Sequence, residues 1–271
     1  MVRKDEKMKD EMNLEEGDNS KNEVTQGGMY LPDKFVRFSP LQRVEHLLVM
    51  IFFIMLVITG LPQEFFEAPW SAWIITSLGG IDMTRFIHRM FGILFAALVV
   101  WHLGRVTLFV LLRKLKPSII PTFKDFNDAV GMLKYYMGLS EEHPKFGRYD
   151  FRQKFEYWGL VLGGIFMIVS GFVLYFPIFF TKFLPGVIIP VAETVHGYEA
   201  LLAFLVIIIW HMYGAHFNPD VFPFDPSIFT GKISRKRMEK DHPLEYAELI
   251  KSWTKNEENK KLAGDEKGNN V

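Results

Sequence analysis

The 271-residue chain contains no cysteine. That absence excludes thiolate-held iron–sulfur clusters, cysteine-ligated zinc, disulfides, thiol catalysis and covalent c-type haem attachment, so any redox centre must be held by other side chains. An excess of charge of one sign is also missing, with 31 basic residues against 31 acidic ones. A polyanion partner needs a basic face, so no nucleic acid is expected. Residues Met1 to Gly28 lack any apolar stretch and carry five basic and eight acidic side chains. They are expected to form a disordered tail, not a signal peptide, which leaves the first hydrophobic run in place.

What the chain does have is apolar: 49% hydrophobic and 15% aromatic residues. These gather into four runs, Leu47–Leu61, Phe91–Leu112, Gly159–Phe176 and Leu201–Trp210, with the charges in both termini and one long middle segment. This is a membrane layout. The expected fold is all-α, an integral membrane four-helix bundle with both termini cytoplasmic. Its spans are about 43–61, 86–112, 156–176 and 194–213, in a membrane domain at 35–230 between an N-terminal tail at 1–34 and a charged C-terminal tail at 231–271. The stretch FLPGVIIPVA is broken by Pro185, Gly186 and Pro190 and is too short to span, so it belongs on the outer surface.

Orientation follows from basic residues near the span ends. The segment from Arg113 to Lys154 carries Arg113, Lys114, Lys116, Lys124, Lys134, Lys145, Arg148, Arg152 and Lys154, and the tail adds Lys232, Arg235, Lys236 and Arg237. Connections 62–83 and 178–193 have one lysine between them. Both termini are therefore expected inside, in the inner membrane of a bacterium. Within the inner segment, FKDFNDAVGMLKYYMG has an amphipathic helical pattern that suits either the membrane surface or a partner protein.

Five of the eight histidines, His46, His88, His102, His196 and His211, fall inside or at the edges of the spans, where ionisable side chains are costly and usually functional. His88 and His196 stand at the outer starts of the second and fourth spans, His46 at the inner start of the first and His211 at the inner end of the fourth. Fifteen residues separate His196 from His211, which puts them within roughly 60° of one face and ~22 Å apart. Fourteen separate His88 from His102, for about 40° and ~21 Å. Neutral imidazole ligates iron, and a haem needs one ligand on each side. Matched depths point to two stacked bis-histidine b-type haems. His102 shares the inner depth with His46 and His211, so spacing leaves the inner pairing open, and His216, five residues beyond His211, is a surface or quinone-site residue or, with His102, a holder of a third haem.

Arg85 and Arg89 flank His88 against the positive-inside trend. They suit either haem propionates or lipid phosphate, and Arg43 and Arg105 have the same two roles open at the inner haem. The glycines of the third span are helix-packing sites as readily as room for a flat macrocycle.

The segments RVEH with a span ending TGLP, HRMFG, QKFEYW, HGYEALLAFLVIIIWHMY and TGKISRKRMEKDHPLEY, together from about Phe35 to Ala247, resemble the transmembrane di-haem cytochrome b subunits of formate dehydrogenase (gamma subunit), thiosulfate reductase and nickel-iron hydrogenase. The resemblance implies axial pairs His46 with His211 at the inner haem and His88 with His196 at the outer. It further implies electron relay between a periplasmic iron–sulfur or multihaem c-type cytochrome subunit and a membrane quinone, menaquinone or ubiquinone, near the inner haem. His102 and the extension HFNPDVFPFDPSIF look like the versions that accompany multihaem cytochromes in anaerobic respiration. Polar or ionisable residues near the inner boundary, His102, Arg105, Lys154, Glu156, Tyr213 and His216, are the candidate quinone pocket. The rival expectation is a haem-free four-helix anchor or a proton-coupled transporter, which would tolerate histidines at staggered depths.

Overall fold

The computed structural model describes residues 31–115, 117–219 and 221–268, so residues 1–30 of the expected N-terminal tail lie outside it. Four helices are long and apolar enough to cross a membrane. The first, α1 (Pro40–Glu64), starts at a capping box in which Gln42 N–H donates to Ser39 Oγ (3.3 Å) and Ser39 N–H to Gln42 Oε1 (3.0 Å), with Pro40 preset for the first turn. A short α2 (Pro69–Ser77) follows, and Gly79 and Gly80, both at positive φ (97° and 94°), turn the chain into α3 (Ile81–Leu111). Thirty-one residues at 1.5 Å each make about 46 Å, so α3 extends well past a hydrocarbon core of about 30 Å.

The segment that follows carries α4 (Phe123–Tyr136), and α5 (Phe151–Tyr175) begins at Asp150, whose carboxylate accepts from Gln153 N–H at 2.8 Å. The fourth span, α6 (Ile188–Leu205), continues without a break through π-helical turns at Val206–His211 and Tyr213–Phe217. A π turn takes about one residue more than an α turn. The fifteen residues from His196 to His211 therefore rotate like about fourteen in a regular helix, the same separation as between His88 and His102.

Helix α1 packs chiefly on α3 and α5 on α6, and further contacts of α1 with α6 and α3 with α5 close the four into one bundle. Its polarity is inverted relative to a water-soluble protein. Val100, Trp101, Phe166 and Ile209 are more than half exposed on the spans, whereas Thr59 and Thr84 are fully buried and Ser170 and Glu45 nearly so. Lipid solvates the outside, and the few polar side chains collect inside where partners satisfy them.

One end of the bundle is closed by a small polar cap. Strand β1 (Lys34–Val36) pairs antiparallel with β2 (Lys232–Ser234), with Phe35 opposite Ile233. Those two residues form a core with Met238 of α7 (Arg235–Asp241) and with Tyr246 and Leu249 of α8 (Pro243–Gly268). Arg37 is almost completely buried; its Nη1 donates to Glu245 Oε2 at 2.7 Å and its Nη2 to the carbonyl of Arg148. Arg148 returns the contact, Nη1 to Glu245 Oε1 and Nη2 to the Arg37 carbonyl, both at 2.7 Å. One carboxylate thus ties together the chain entering α1, the α4–α5 connection and the C-terminal helices.

Candidate functional site

Two imidazole pairs occupy the bundle interior at two levels. At the end away from the cap, His88 of α3 faces His196 of α6, with ring centres 6.2 Å apart and planes at 77°. At the capped end, His46 of α1 faces His211 in the first π-helical stretch after α6, again at 6.2 Å, with planes at 36°. Imidazoles bound to opposite sides of one iron through bonds of about 2 Å have ring centres about 6 Å apart, once about 1 Å from nitrogen to ring centre is added on each side. Both pairs fit that span.

The side chains around each ring decide which nitrogen is free. Thr59 Oγ1 donates its one proton to the Met55 carbonyl (2.7 Å), so it accepts from His88 Nδ1–H at 3.0 Å. Ser170 Oγ likewise donates to the Phe166 carbonyl (2.6 Å) and accepts from His196 Nδ1–H at 2.9 Å. On His211 the Nδ1–H donates to Glu156 Oε2 at 3.0 Å. In all three, Nε2 keeps a free lone pair, which is the state a metal-ligating histidine needs.

Each hydroxyl is followed by a glycine that lets its imidazole seat. A Cβ on Gly60 would meet His88 Cε1 at 3.0 Å, and one on Gly171 would meet His196 Cε1 at 3.2 Å. The Thr59-Gly60 pair on α1 and the Ser170-Gly171 pair on α5 are thus the same device used twice. Gly197, beside His196, gives room to the Glu64 carboxylate, whose Oε2 would lie 2.5 Å from a Cβ there.

His102 is arranged differently. Its Nδ1–H donates to Glu45 Oε2 (3.0 Å), and its Nε2 accepts from the Tyr157 hydroxyl (3.1 Å). Glu45 is also held by Arg105, Nε to Oε1 at 3.0 Å and Nη2 to Oε2 at 2.7 Å. Both ring nitrogens of His102 are therefore occupied, and Arg105 is committed to a buried carboxylate. The ring neighbours of His216 are Phe217 and Phe224, each at 6.4 Å. Lys154 is paired with Asp125 of α4 at 2.8 Å, and Tyr213 is more than half exposed. Arg85 and Arg89 are exposed on α3, with the Arg89 guanidinium 4.9 Å from the centre of the Tyr175 ring. Arg43 differs from these, because its Nε is buried without a hydrogen-bond partner among the described residues. The Arg43 side chain lies against Gly231, where a Cβ would meet its Cδ at 3.3 Å and its Nη1 at 3.5 Å, and an orphaned guanidinium donor three residues before His46 fits an anionic group.

Sequence reading overlooked Thr59, Ser170, Glu45 and Tyr157. A lone hydroxyl in an apolar helix ordinarily bonds back to its own carbonyls, and nothing along the chain tells Thr59 from any other. Glu45 had a signal, since a carboxylate six residues into an apolar helix needs a cation partner.

A membrane bundle with level imidazole pairs is the architecture of a transmembrane b-type cytochrome. The sequence matches the prokaryotic cytochrome b561 family over residues 37–222, well over half the chain, and the protein belongs to that family. It is similar to the cytochrome b556(Fdn) subunit of the nitrate-inducible formate dehydrogenase of Escherichia coli K12, 26% identical over 223 residues that cover 82% of this chain and 94% of that protein. A second relative is the cytochrome b556(fdo) subunit of formate dehydrogenase from the same strain, 25% identical over 83% of this chain and 98% of that protein. A third is the formate dehydrogenase cytochrome b556 subunit of Haemophilus influenzae, 25% identical over 81% and 85%. The family resemblance read from RVEH, HRMFG and HGYEALLAFLVIIIWHMY holds. The chain is a membrane cytochrome b electron-transfer subunit, and the family implies b-type haem.

Proposed function

We propose that the chain relays electrons between a catalytic redox partner and the membrane quinone pool through two b-type haems, one held by His88 and His196 and the other by His46 and His211. The observation that carries this reading is the equal 6.2 Å separation of two imidazole pairs at two levels of one bundle. Bound haem supplies a one-electron carrier. The protein supplies four imidazoles, three of them with Nδ1 engaged and Nε2 free, a low-dielectric interior and, through Arg43, a cation for a propionate. Because His102 has both nitrogens occupied, we assign it with Glu45, Arg105 and Tyr157 to a buried polar network beside the His46–His211 level, where a quinone would exchange protons, and not to a third haem.

The basic residues of the α3–α5 connection and the C-terminal segment favour a cytoplasmic capped end with both termini inside, in a bacterial inner membrane. The His88–His196 level then faces the periplasm, toward an iron–sulfur or multihaem c-type cytochrome subunit. Relatives named as formate dehydrogenase subunits support a catalytic partner subunit. Menaquinone or ubiquinone is the diffusible partner at the cytoplasmic end. The test is pyridine-haemochrome absorbance of the purified chain against protein concentration, followed by anaerobic reduction with a quinol. Two b haems per chain that take up electrons from the quinol support the relay; none in a folded protein leaves the anchor or transporter.

The groups that accept from the imidazole Nδ1–H atoms predict separable potentials. An imidazole that donates Nδ1–H to an acceptor is a more basic ligand, which favours oxidised iron. Thr59→Val and Ser170→Ala should therefore each raise the midpoint potential of the same haem, by something on the order of tens of millivolts. Glu156→Gln should raise that of the other haem alone, in a potentiometric titration followed at the α-band.

A further inference from the structure

Helix α4 presents its polar side to the protein and its apolar side outward. At about 100° per residue, Phe123, Phe126, Val130 and Leu133 fall within an arc of about 80°, and they are 91%, 69%, 36% and 59% exposed. Asp125 and Asp128 lie on the opposite side and are partly buried there. Asp125 is paired with Lys154, and Gly131 admits Pro144, whose Cγ would lie 2.8 Å from a Cβ at that position. An amphipathic helix on a water-solvated surface would be turned the other way.

The position of the helix says what covers the face. Asp125 is held by the fourth residue of the membrane-crossing α5 (Lys154 Nζ–Oδ1 2.8 Å), and the Trp158 indole, one turn further along α5, donates to the Ile119 carbonyl at 3.1 Å. Residues 119–125 therefore run beside the first two turns of a span, at the depth where tryptophan and tyrosine mark a bilayer boundary. Arg113, Lys114 and Lys145 to either side of the helix and Lys134 in its last turn are cations suited to anionic headgroups. The Asp125 carboxyl, partly desolvated, is nonetheless held below its ordinary value by hydrogen bonds from Lys154 and Thr122, so the pairing persists at neutral pH.

We infer that α4 lies in the membrane interface at the capped end of the bundle, with Phe123, Phe126, Val130 and Leu133 inserted at the headgroup–acyl boundary of an anionic lipid surface. This holds whatever cofactors the bundle carries.

The absence of native cysteine makes the test direct. Phe126→Cys, Val130→Cys and Leu133→Cys, with Tyr135→Cys on the opposite side as the comparison, are each spin-labelled in the full chain and reconstituted into nanodiscs containing phosphatidylglycerol. Retained helicity and a single elution peak show that each variant folds. Labels at 126, 130 and 133 should collide more often with oxygen than with a water-soluble nickel chelate, and the label at 135 should show the reverse. Greater access to nickel at 126, 130 and 133 would place the face in water and overturn the inference. Exclusion of both reagents would mean that protein covers it, such as a second copy of the chain, and would overturn it equally.

Discussion

Replacing either His88 or His196 by alanine should remove one and the same haem, leaving one haem per chain with an unchanged spectrum. His46→Ala and His211→Ala should remove the other. The effect should be close to all or nothing, because the pocket would then supply one of the two axial ligands by which the protein holds the iron, and an aqueous ligand is a poor substitute in a dry site. The four variants should therefore sort into two spectroscopic classes of two. Pairing is set by helix packing: α3 and α6 bring His88 and His196 to 6.2 Å, and α1 and the π-helical continuation of α6 bring His46 and His211 to the same distance. His102→Ala should keep both haems, since its nitrogens already serve Glu45 and Tyr157. Haem counts from pyridine haemochrome and low-spin electron paramagnetic resonance decide the matter, and a His88→Ala protein that lost a different signal from His196→Ala would overturn the pairing.

Glu245→Ala should unlock the cap. Its carboxylate is 11% exposed and stands between Arg37, 2% exposed, and Arg148, 35% exposed. Removing it leaves a buried guanidinium uncompensated, which costs about 3–5 kcal/mol. Arg148→Ala should cost less, because its side chain is only partly buried and so partly screened by solvent, and Arg37 still satisfies Glu245. Hydrogen exchange across residues 231–250 reads the difference, with protection of β2 and α7 lost in Glu245→Ala and only weakened in Arg148→Ala.

The same cap should loosen in mild acid. His242 is buried, donates Nδ1–H to the Gly147 carbonyl at 2.8 Å, and is pushed below its ordinary value of 6.5 by desolvation and then by the Arg37 charge. In the unfolded cap it would titrate near 6.5. As the pH falls through that value, the unfolded form gains a proton that the folded form refuses, so this contribution to stability is present above about pH 6.5 and drains away below it. Exchange in the cap should therefore accelerate from pH 7 to pH 5.5 in the native chain and change less in His242→Asn.

Much of this protein could be read along the chain. Apolar runs long enough to cross a bilayer, and polar segments between them, made four spans and an all-α fold predictable, since a backbone in lipid must satisfy its own hydrogen bonds. Motifs around the histidines were distinctive enough to place the family. The histidines stood out as a set because imidazole at such depth is costly. What lay beyond sequence reasoning was each residue's partner. Helix periodicity gives the face and height of His88 but is silent on the neighbour across the gap, so Thr59-Gly60 and Ser170-Gly171 looked like ordinary span residues until packing set them against two imidazole rings. His102 shared the height of His46 and His211, and only the approach of α1 and α5 shows its nitrogens taken by Glu45 and Tyr157. The π-helical turns before His211 come from the packing of a span whose local sequence, VIIIWH, reads as regular helix. Helix α4 was visible as amphipathic, yet the direction of its apolar face waited on the Lys154–Asp125 contact, 29 residues apart in the chain. Hydropathy and periodicity are local properties and are written along the chain. Which nitrogen stays free and which face meets lipid depend on contacts between distant segments, which come into being when the helices pack.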